Sequence, residues 1–146
     1  MRRKIRPEMG CLLVIILALV ASVAAQDRLG SGEKLKAGDE LKSQKGMLVM
    51  RHVGNLTLYD KDHNVEWESR SYINFGQRVE YLQMNRSGDL EIIVKDDDTG
   101  QRLALWSSKT SAQHGAEAVG AHLEIDWDNF ILKIVSTGGK ELWRSQ

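Results

Sequence analysis

The side chains best suited to chemistry in this sequence are acidic and histidine residues in its C-terminal third. Four of them alternate with apolar residues, at His122, Glu124, Asp126 and Asp128. Such residue types can ligate a metal ion, but alternate side chains on a strand lie roughly 6.5 Å apart. Four of them therefore rarely reach one ion. The pattern predicts no metal site, and no other run of residues predicts a cofactor.

Catalytic arrangements are weakly represented. The histidines are scattered, at His52, His63, His114 and His122, and no Gly-x-Ser-x-Gly elbow is present. Gly30-Ser31-Gly32 lacks the third glycine and the following helix of a nucleotide-binding loop. The acidic run at residues 96–98 lacks the spacing of a calcium loop and is typical of a solvated turn. We therefore expect no enzymatic activity.

Two Asn-x-Ser/Thr sequons begin at Asn55 and Asn85. In a secreted protein these are acceptors for N-linked glycan. Sequons also occur by chance, and those within strands are often unmodified. Both asparagines are glycosylation candidates.

Residues 1–25 have the features of a secretory signal peptide. Four basic residues precede an apolar core at residues 11–20, and small residues follow, ending at Ala25. The apolar stretch at residues 9–25 is shorter than the roughly 20 residues that a spanning helix needs. An uncleaved membrane anchor is the alternative. The sequence predicts a signal peptide at 1–25, a domain at 26–146, and secretion to the extracellular space.

Removing this segment changes the composition. The full chain of 146 residues has 20 basic and 20 acidic residues, and residues 26–146 keep 16 and 19 of them, a net charge of −3. The only cysteine, Cys11, and the only proline, Pro7, lie in the segment. Without a basic surplus, nucleic acid is not an expected partner, and after cleavage neither is a membrane. Residues 26–146 must fold without disulfides.

The elements that must position any site are short strands. Alternating apolar and polar residues, separated by Gly, Asp, Asn and Ser, predict an all-β protein. The predicted strands cover residues 47–50, 55–59, 79–84, 89–94, 103–106, 129–135 and 141–143.

These runs repeat three times. Each unit contains a strand, a tight turn, a second strand, a polar loop and a tryptophan. The tryptophans are Trp67, Trp106 and Trp143, which lie 39 and 37 residues apart. A period in this range indicates a repeat architecture in which the units bury their faces on one another. We expect the three indoles to share an axial core.

The residues at 31–41, the run Gly54-Asn-Leu-Thr-Leu-Tyr-Asp and Trp67 resemble the bulb-type mannose-binding lectin domain. The resemblance covers roughly residues 27–145 and is most specific in the first repeat. It implies a β-prism II fold, with three four-stranded antiparallel sheets in pseudo-threefold symmetry. It also implies a mannose-type glycan as ligand. Members commonly carry a disulfide within the domain, which residues 26–146 cannot form.

Each repeat of that family carries the motif Gln-x-Asp-x-Asn-x-Val-x-Tyr, whose polar side chains bind sugar. Matching the first repeat retains only Asn55 and Tyr59. Matching the second leaves Asn85 and Asp89 as polar residues, with Glu91 replacing the apolar contact. We predict that both are weak sites toward mannose.

The third repeat needs one extra residue in its turn, near Trp127. This insertion keeps Lys133 out of the core and turns Phe130, Leu132 and Ile134 inward. The motif positions are then Glu124, Asp126, Asn129, Ile131 and Lys133. The resemblance makes this the best-retained carbohydrate site.

The sequence therefore predicts a secreted, lectin-like protein that binds mannose-type carbohydrate through at most one well-retained site. The alternative is a degenerate β-prism scaffold for protein–protein contact without sugar binding. A membrane-anchored form of either remains open, as does a homo-oligomer, since multivalent lectins gain avidity by oligomerisation.

Overall fold

Our computed structural model describes residues 26–146, so the predicted signal peptide lies outside the described residues. Within 26–146, twelve strands form three four-stranded antiparallel sheets. The first three strands are β1 (Arg28–Leu29), β2 (Lys34–Lys36) and β3 (Glu40–Lys42). In the part of the chain described, no helix is long and apolar enough to cross a membrane.

Nine further strands form three consecutive units. They are β4 (Gly46–Met50), β5 (Leu56–Asp60), β6 (Val65–Glu68), β7 (Gln77–Met84), β8 (Leu90–Asp96), β9 (Arg102–Ser107), β10 (His122–Asp126), β11 (Ile131–Val135) and β12 (Glu141–Arg144). Each unit supplies three neighbouring strands of one sheet, and β3, β2 and β1 complete the first, second and third sheets respectively. The prediction of an all-β prism of three four-stranded sheets is confirmed.

The predicted strand ranges leave out β6 and β10, and they also leave out β1–β3, each of which forms an edge strand of one sheet. Each of them buries one leucine, and Leu29, Leu35 and Leu41 are spaced six residues apart. Because each strand is only two or three residues long, a two-residue alternation cannot reveal it. The six-residue leucine spacing is the signal that identifies these strands.

The core lies on the axis between the sheets. Each hairpin contributes inward residues that are fully buried, such as Leu58, Ile92 and Ile134. These pair across the strands with Trp67, Trp106 and Trp143 respectively. The indole centroids lie 6.0, 6.0 and 6.3 Å apart in edge-to-face arrangements. The predicted axial cluster of tryptophans is confirmed.

A serine two residues after each tryptophan fixes the end of the sheet. The hydroxyls of Ser69, Ser108 and Ser145 each accept a hydrogen bond, at 2.9 Å, from a backbone amide of the neighbouring strand: the first residue of β5 and of β8, and the second residue of β11. The backbone N–H of each serine donates back to the carbonyl of that same residue, also at 2.9 Å. These paired bonds make three positions of the chain structurally equivalent, namely Leu56, Leu90 and Leu132.

A short helical segment interrupts the pattern between the second and third units. Helix α1 spans Thr110–His114 and a 3₁₀ helix spans Gly115–Ala118. The hydrophobic periodicity does not predict this segment, because α1 buries only Thr110 and so has no apolar stripe. The segment packs on the tip of the second hairpin.

Candidate functional site

The first two hairpins turn in the same way. Arg51 donates its N–H to the carbonyl of Asn55 at 3.2 Å, and Asn85 donates to Asp89 at 2.7 Å. Three residues separate the members of each pair. The last of the three is Gly54 or Gly88, with φ of 97° and 99°, a backbone conformation that favours glycine. The predicted matching of these two repeats agrees with this geometry.

The third hairpin turns differently, and its predicted alignment is wrong by two residues. The hydroxyl of Ser145 bonds to the amide of Leu132, so Ile131 stands at the position of Asn55 and Asp89. Asp126 pairs with Ile131 and therefore stands at the position of Arg51 and Asn85. A shift of two residues preserves which side chains face inward, so alternation alone could not detect it.

The predicted extra residue is present, because residues 127–130 form a turn of four residues instead of three. The sequence predicts Phe130 as an inward strand residue, and this prediction is wrong. Phe130 is the last residue of this turn, with φ of 52°. Strand β11 consequently begins at Ile131, two residues later than predicted. Leu132 and Ile134 do face the core, and both are fully buried.

The first hairpin keeps its asparagine inside the protein. Asn55 is fully buried. Its amide nitrogen donates to Glu68 at 2.9 Å, and its oxygen accepts from the N–H of Arg70 at 3.0 Å and from the hydroxyl of Ser69 at 3.2 Å. Tyr59 lies farther along β5 and is half-buried. The polar groups of Asn55 are thus bonded to the last residue of β6 and to the loop that follows it.

The burial of Asn55 bears on its predicted glycosylation. N-linked glycan attaches to the amide nitrogen, which here is buried and donates to Glu68. A glycan would need that hydrogen bond to be broken, and the modification of Asn55 stays a prediction. The sequon at Asn85 lies at the edge of a turn and is half-buried, and its modification stays a prediction.

The second hairpin is also internally bonded. Asp89 accepts hydrogen bonds from the N–H of Ser111 at 2.8 Å and from the Ser111 hydroxyl at 2.6 Å. Asn85 donates to Glu91 at 2.9 Å. A Cβ on Gly88 would lie 2.2 Å from the carbonyl oxygen of Ala118, so the helical segment fits closely over this turn. The insertion after β9 therefore covers the polar tip.

The third hairpin leaves its polar cluster partly accessible. Glu124 and Lys133 form one cross-strand pair on the outer face, next to the pair of Asp126 and Ile131. Asp126 accepts a hydrogen bond from the amide of Asn129 at 2.9 Å, and the Lys133 ammonium lies 3.6 Å away. The side chains of Lys133 and Asp126 are 26% and 25% exposed. The structure thus brings together four of the predicted site residues, Glu124, Asp126, Asn129 and Lys133, beside the apolar Ile131.

Electrostatics favour the ionised form of Asp126. The hydrogen bond from the Asn129 side chain, and then those from the backbone N–H groups of Asn129 and Asp128, lower the pKa of the carboxyl. The nearby Lys133 acts in the same direction. Asp126 is consequently a charged, fixed hydrogen-bond acceptor.

Glu124 belongs to a neighbouring group of charges. Arg28 on β1 donates to Glu124 at 3.2 Å, and His122 Nε2 lies 2.7 Å from the same carboxylate oxygen. Across the part of the chain the structure describes, no three His, Cys, Asp or Glu side chains are grouped as metal ligands. The arrangement is an ion-pair group on the outer face of the third sheet.

The three four-stranded sheets form a β-prism II fold. This is the fold of the lectins to which the chain is structurally similar. Among solved structures, the chain is similar to a monomeric monocot mannose-binding lectin from Gastrodia elata, at 27% identity and a TM-score of 0.62 over 82% of this chain and 96% of that chain. It is also similar to a lectin from Colocasia esculenta, at 26% identity and a TM-score of 0.52 over 82% and 93%.

The mannose-specific agglutinin from snowdrop, Galanthus nivalis, complexed with methyl-α-D-mannoside, shares the fold at 23% identity and a TM-score of 0.54 over 80% of this chain and 93% of that chain. No protein-family model matches the sequence, and no curated protein matches it significantly. The solved structures therefore support a lectin-like fold that belongs to carbohydrate-binding proteins.

Proposed function

We propose that residues 26–146 form a secreted, non-enzymatic lectin-like protein that binds mannose-type carbohydrate at the third hairpin. The observation that carries this proposal is the accessibility of its polar cluster. Asp126 and Lys133 are partly exposed, whereas Asn55 is fully buried and Asp89 is bonded to Ser111. The mannose-binding lectins of similar fold support the ligand class.

The chemistry of the cluster suits sugar hydroxyls, each of which both donates and accepts a hydrogen bond. The Asp126 carboxylate accepts, the Lys133 ammonium donates, and the Asn129 amide does both. Ile131, partly buried between them, offers a small apolar contact for the C–H groups of a sugar ring. A shallow site of this kind fixes a ligand by a few placed polar groups.

A glycan array probed with residues 26–146 tests the proposal, followed by titration of the best glycan. Asp126→Asn should weaken binding by about tenfold, because a charged acceptor is lost. Asp97→Asn provides the matched control, since Asp97 is an exposed carboxylate in the turn between β8 and β9 that pairs with Arg78. If both variants bind the glycan with wild-type affinity, the assignment of the site to this hairpin is contradicted. If no glycan on the array is bound, the proposed function is contradicted.

A protein-interaction scaffold without sugar binding is the second candidate function. Two observations favour it. Asn55 and Asp89 form hydrogen bonds within the protein. Apolar side chains are also exposed around the first hairpin, such as Val53, Tyr72 and Phe75. This candidate predicts an empty glycan array. Size-exclusion chromatography, with Phe75→Ser as the variant, would then test whether this apolar surface makes a homo-oligomer.

Secretion is the remaining part of the proposal. Expression of the full chain in a secreting cell should release a protein whose first residue is Gln26. N-terminal sequencing of the medium fraction measures this directly. A product that stays with the membranes and keeps residues 1–25 would instead establish the anchored form.

A further inference from the structure

The tip of the third hairpin carries an indole side chain that the tips of the other two hairpins lack. Trp127 is the first residue of its turn, where the first two hairpins have the exposed residues His52 and Arg86. Trp127 is only 8% exposed. It lies between this tip and two turns of the first sheet, residues 43–45 and 60–62. The four-residue turn therefore places an indole at the seam between two sheets.

Two cavities flank this indole, of about 540 Å³ and about 310 Å³. Lys45, Trp127 and Asp128 line both of them. The larger cavity is also lined by Ser43, Gln44, Ile125 and Asp126, and the smaller by Asp60, Lys61, Asp62 and Phe130. Their sizes lie near the lower part of the range for small-molecule sites. We call the two cavities together the Trp127 notch.

The indole N–H of Trp127 is an unmatched donor. Among the described residues, its Nε1 is a buried side-chain nitrogen with no hydrogen-bond partner. Leaving a buried donor unpaired destabilises a protein, and native structures avoid it unless another role maintains it. A ligand in the notch that presents an oxygen to Nε1 would satisfy this group.

The notch can be opened at modest cost. Lys45 and Asp128 form an ion pair whose side chains are 58% and 75% exposed. Exposed ion pairs contribute little to stability because water screens them. Because Lys45 and Asp128 line both cavities, separation of this pair would widen both of them beside the indole.

The chemistry of the lining selects among ligands. Carboxylates at Asp126 and Asp128 accept hydrogen bonds, Ser43 and Gln44 both donate and accept, and the indole N–H only donates. An amine could pair with the carboxylates but has no acceptor for the indole. A neutral polyol carries donors and acceptors, and its C–H face can pack on the indole ring.

We propose that the Trp127 notch binds a saccharide unit through an oxygen that accepts a hydrogen bond from the Trp127 N–H. The notch would extend the carbohydrate site proposed at the polar cluster of the third hairpin toward the first sheet. This inference rests on the proposed carbohydrate binding, and Asp126, which lines the larger cavity, joins the two regions. A disaccharide can therefore contact both regions, whereas a monosaccharide occupies one. Affinity should rise from mannose to a mannose disaccharide.

Nuclear magnetic resonance of the indole N–H groups tests this directly. The chain has four tryptophans, three of them on the axis, so Trp127→Phe identifies the fourth signal by its loss. Titration with mannose disaccharide should shift the Trp127 signal and leave the axial three nearly unchanged. Trp127→Phe should weaken disaccharide binding by about tenfold, the effect of losing one hydrogen bond and part of the ring contact.

Two further variants separate this inference from the proposed function. Gln44→Ala changes an exposed turn residue of the notch, and should weaken the disaccharide several-fold even if Trp127→Phe disturbs folding. Lys133→Ala alters the outer face and lies outside both cavities. One set of results would overturn the notch and leave the proposed function standing. Lys133→Ala would weaken disaccharide binding, while Gln44→Ala would have no effect and the Trp127 signal would not shift. Absence of binding to any glycan would overturn both.

Discussion

Thr57 illustrates how single side chains on the hairpins differ from the sugar motif of the resembled family. The resemblance places an apolar valine at its position, where the residue contacts a sugar. Here Thr57 is fully buried, and its hydroxyl oxygen has no hydrogen-bond partner among the described residues. Together with the internally bonded Asn55 beside it, this residue makes the first hairpin a packing element.

Replacement of Thr57 by valine should therefore stabilise the protein by about 1 kcal/mol, because an isosteric methyl removes an unsatisfied polar group. Urea unfolding measures the change. The matched control is Thr110→Val, since Thr110 is equally buried but its hydroxyl lies 2.8 Å from that of Ser108. That control should lose about 1 kcal/mol. Equal destabilisation of both variants would mean that Thr57 has a partner in solution.

Asp126 has a lowered pKa, chiefly because the Asn129 side chain donates to it. A carboxyl whose folded pKa lies below its unfolded value of about 3.9 stabilises the protein above that value. This stabilisation is lost as the pH falls through the folded pKa. Asn129→Ala should raise the Asp126 pKa, and should destabilise the protein at about pH 7 more than at about pH 2.5.

The pKa change is measured by a carboxyl-detected titration of wild type and variant. Asp96 supplies an internal control, because its pKa is lowered by hydrogen bonds from Thr99 and Asp98 on another sheet. Its titration should be identical in the two proteins. An Asp126 titration unchanged by Asn129→Ala would show that the backbone N–H groups alone hold the carboxylate.

Among the secondary-structure elements, the last strand of each sheet is fixed by the repeated Trp-x-Ser pattern. The tryptophan packs on the axis, and the serine hydroxyl accepts a hydrogen bond from a backbone amide in the first two residues of the neighbouring strand. Because the two residues have a constant separation, this pattern also sets the register of β6, β9 and β12. It is this pattern that identifies the true alignment of the third hairpin.

Ser145→Ala should destabilise the protein by about 1–3 kcal/mol, since it leaves the buried amide of Leu132 without an acceptor. Hydrogen exchange should show faster exchange at Leu132. Ser107→Ala is the control, because its hydroxyl accepts only from Lys109 near the surface, and should stay within about 0.5 kcal/mol. Unaltered protection of Leu132 would argue against a role of the serine in holding β11.

In the molecule as a whole, stability depends on packing around the pseudo-threefold axis. Residues 26–146 contain no cysteine, so no disulfide joins the sheets. The three tryptophans contact one another edge to face, and each also packs on the buried core. A loss at one indole therefore affects all three sheets.

Trp106→Ala should cost roughly 3–5 kcal/mol, as for other large-to-small core substitutions. Thermal unfolding of residues 26–146, with and without reductant, should give the same melting temperature for each protein. Phe75→Ala, at a fully exposed aromatic, is the control and should change stability by less than about 0.5 kcal/mol. A Trp106→Ala loss no larger than that of Phe75→Ala would contradict a shared axial core.

The sequence by itself determined the architecture. Alternation predicted ranges for seven of the nine strands of the three units, all but β6 and β10, because burial of an apolar face constrains every second residue. The tryptophan spacing predicted the number of units and their common axis. The sequence also located the polar cluster of the third hairpin and the extra residue in its turn. The strands and the repeat follow from local periodicity, whereas the four-stranded prism and the polar cluster of the third hairpin were implied by the resemblance to the bulb-type lectin domain.

The tertiary structure decided which hairpin residues are accessible and how the third hairpin is aligned. A two-residue shift leaves the inward pattern unchanged, so the alternatives are distinguished by the hydrogen bond that the Leu132 N–H donates to Ser145 and by the pairing of Asp126 with Ile131. The burial of Asn55 and the capture of Asp89 by Ser111 depend on loops that are distant in sequence. Accessibility is a property of what packs over a residue, and the residue's own neighbours in sequence do not specify it.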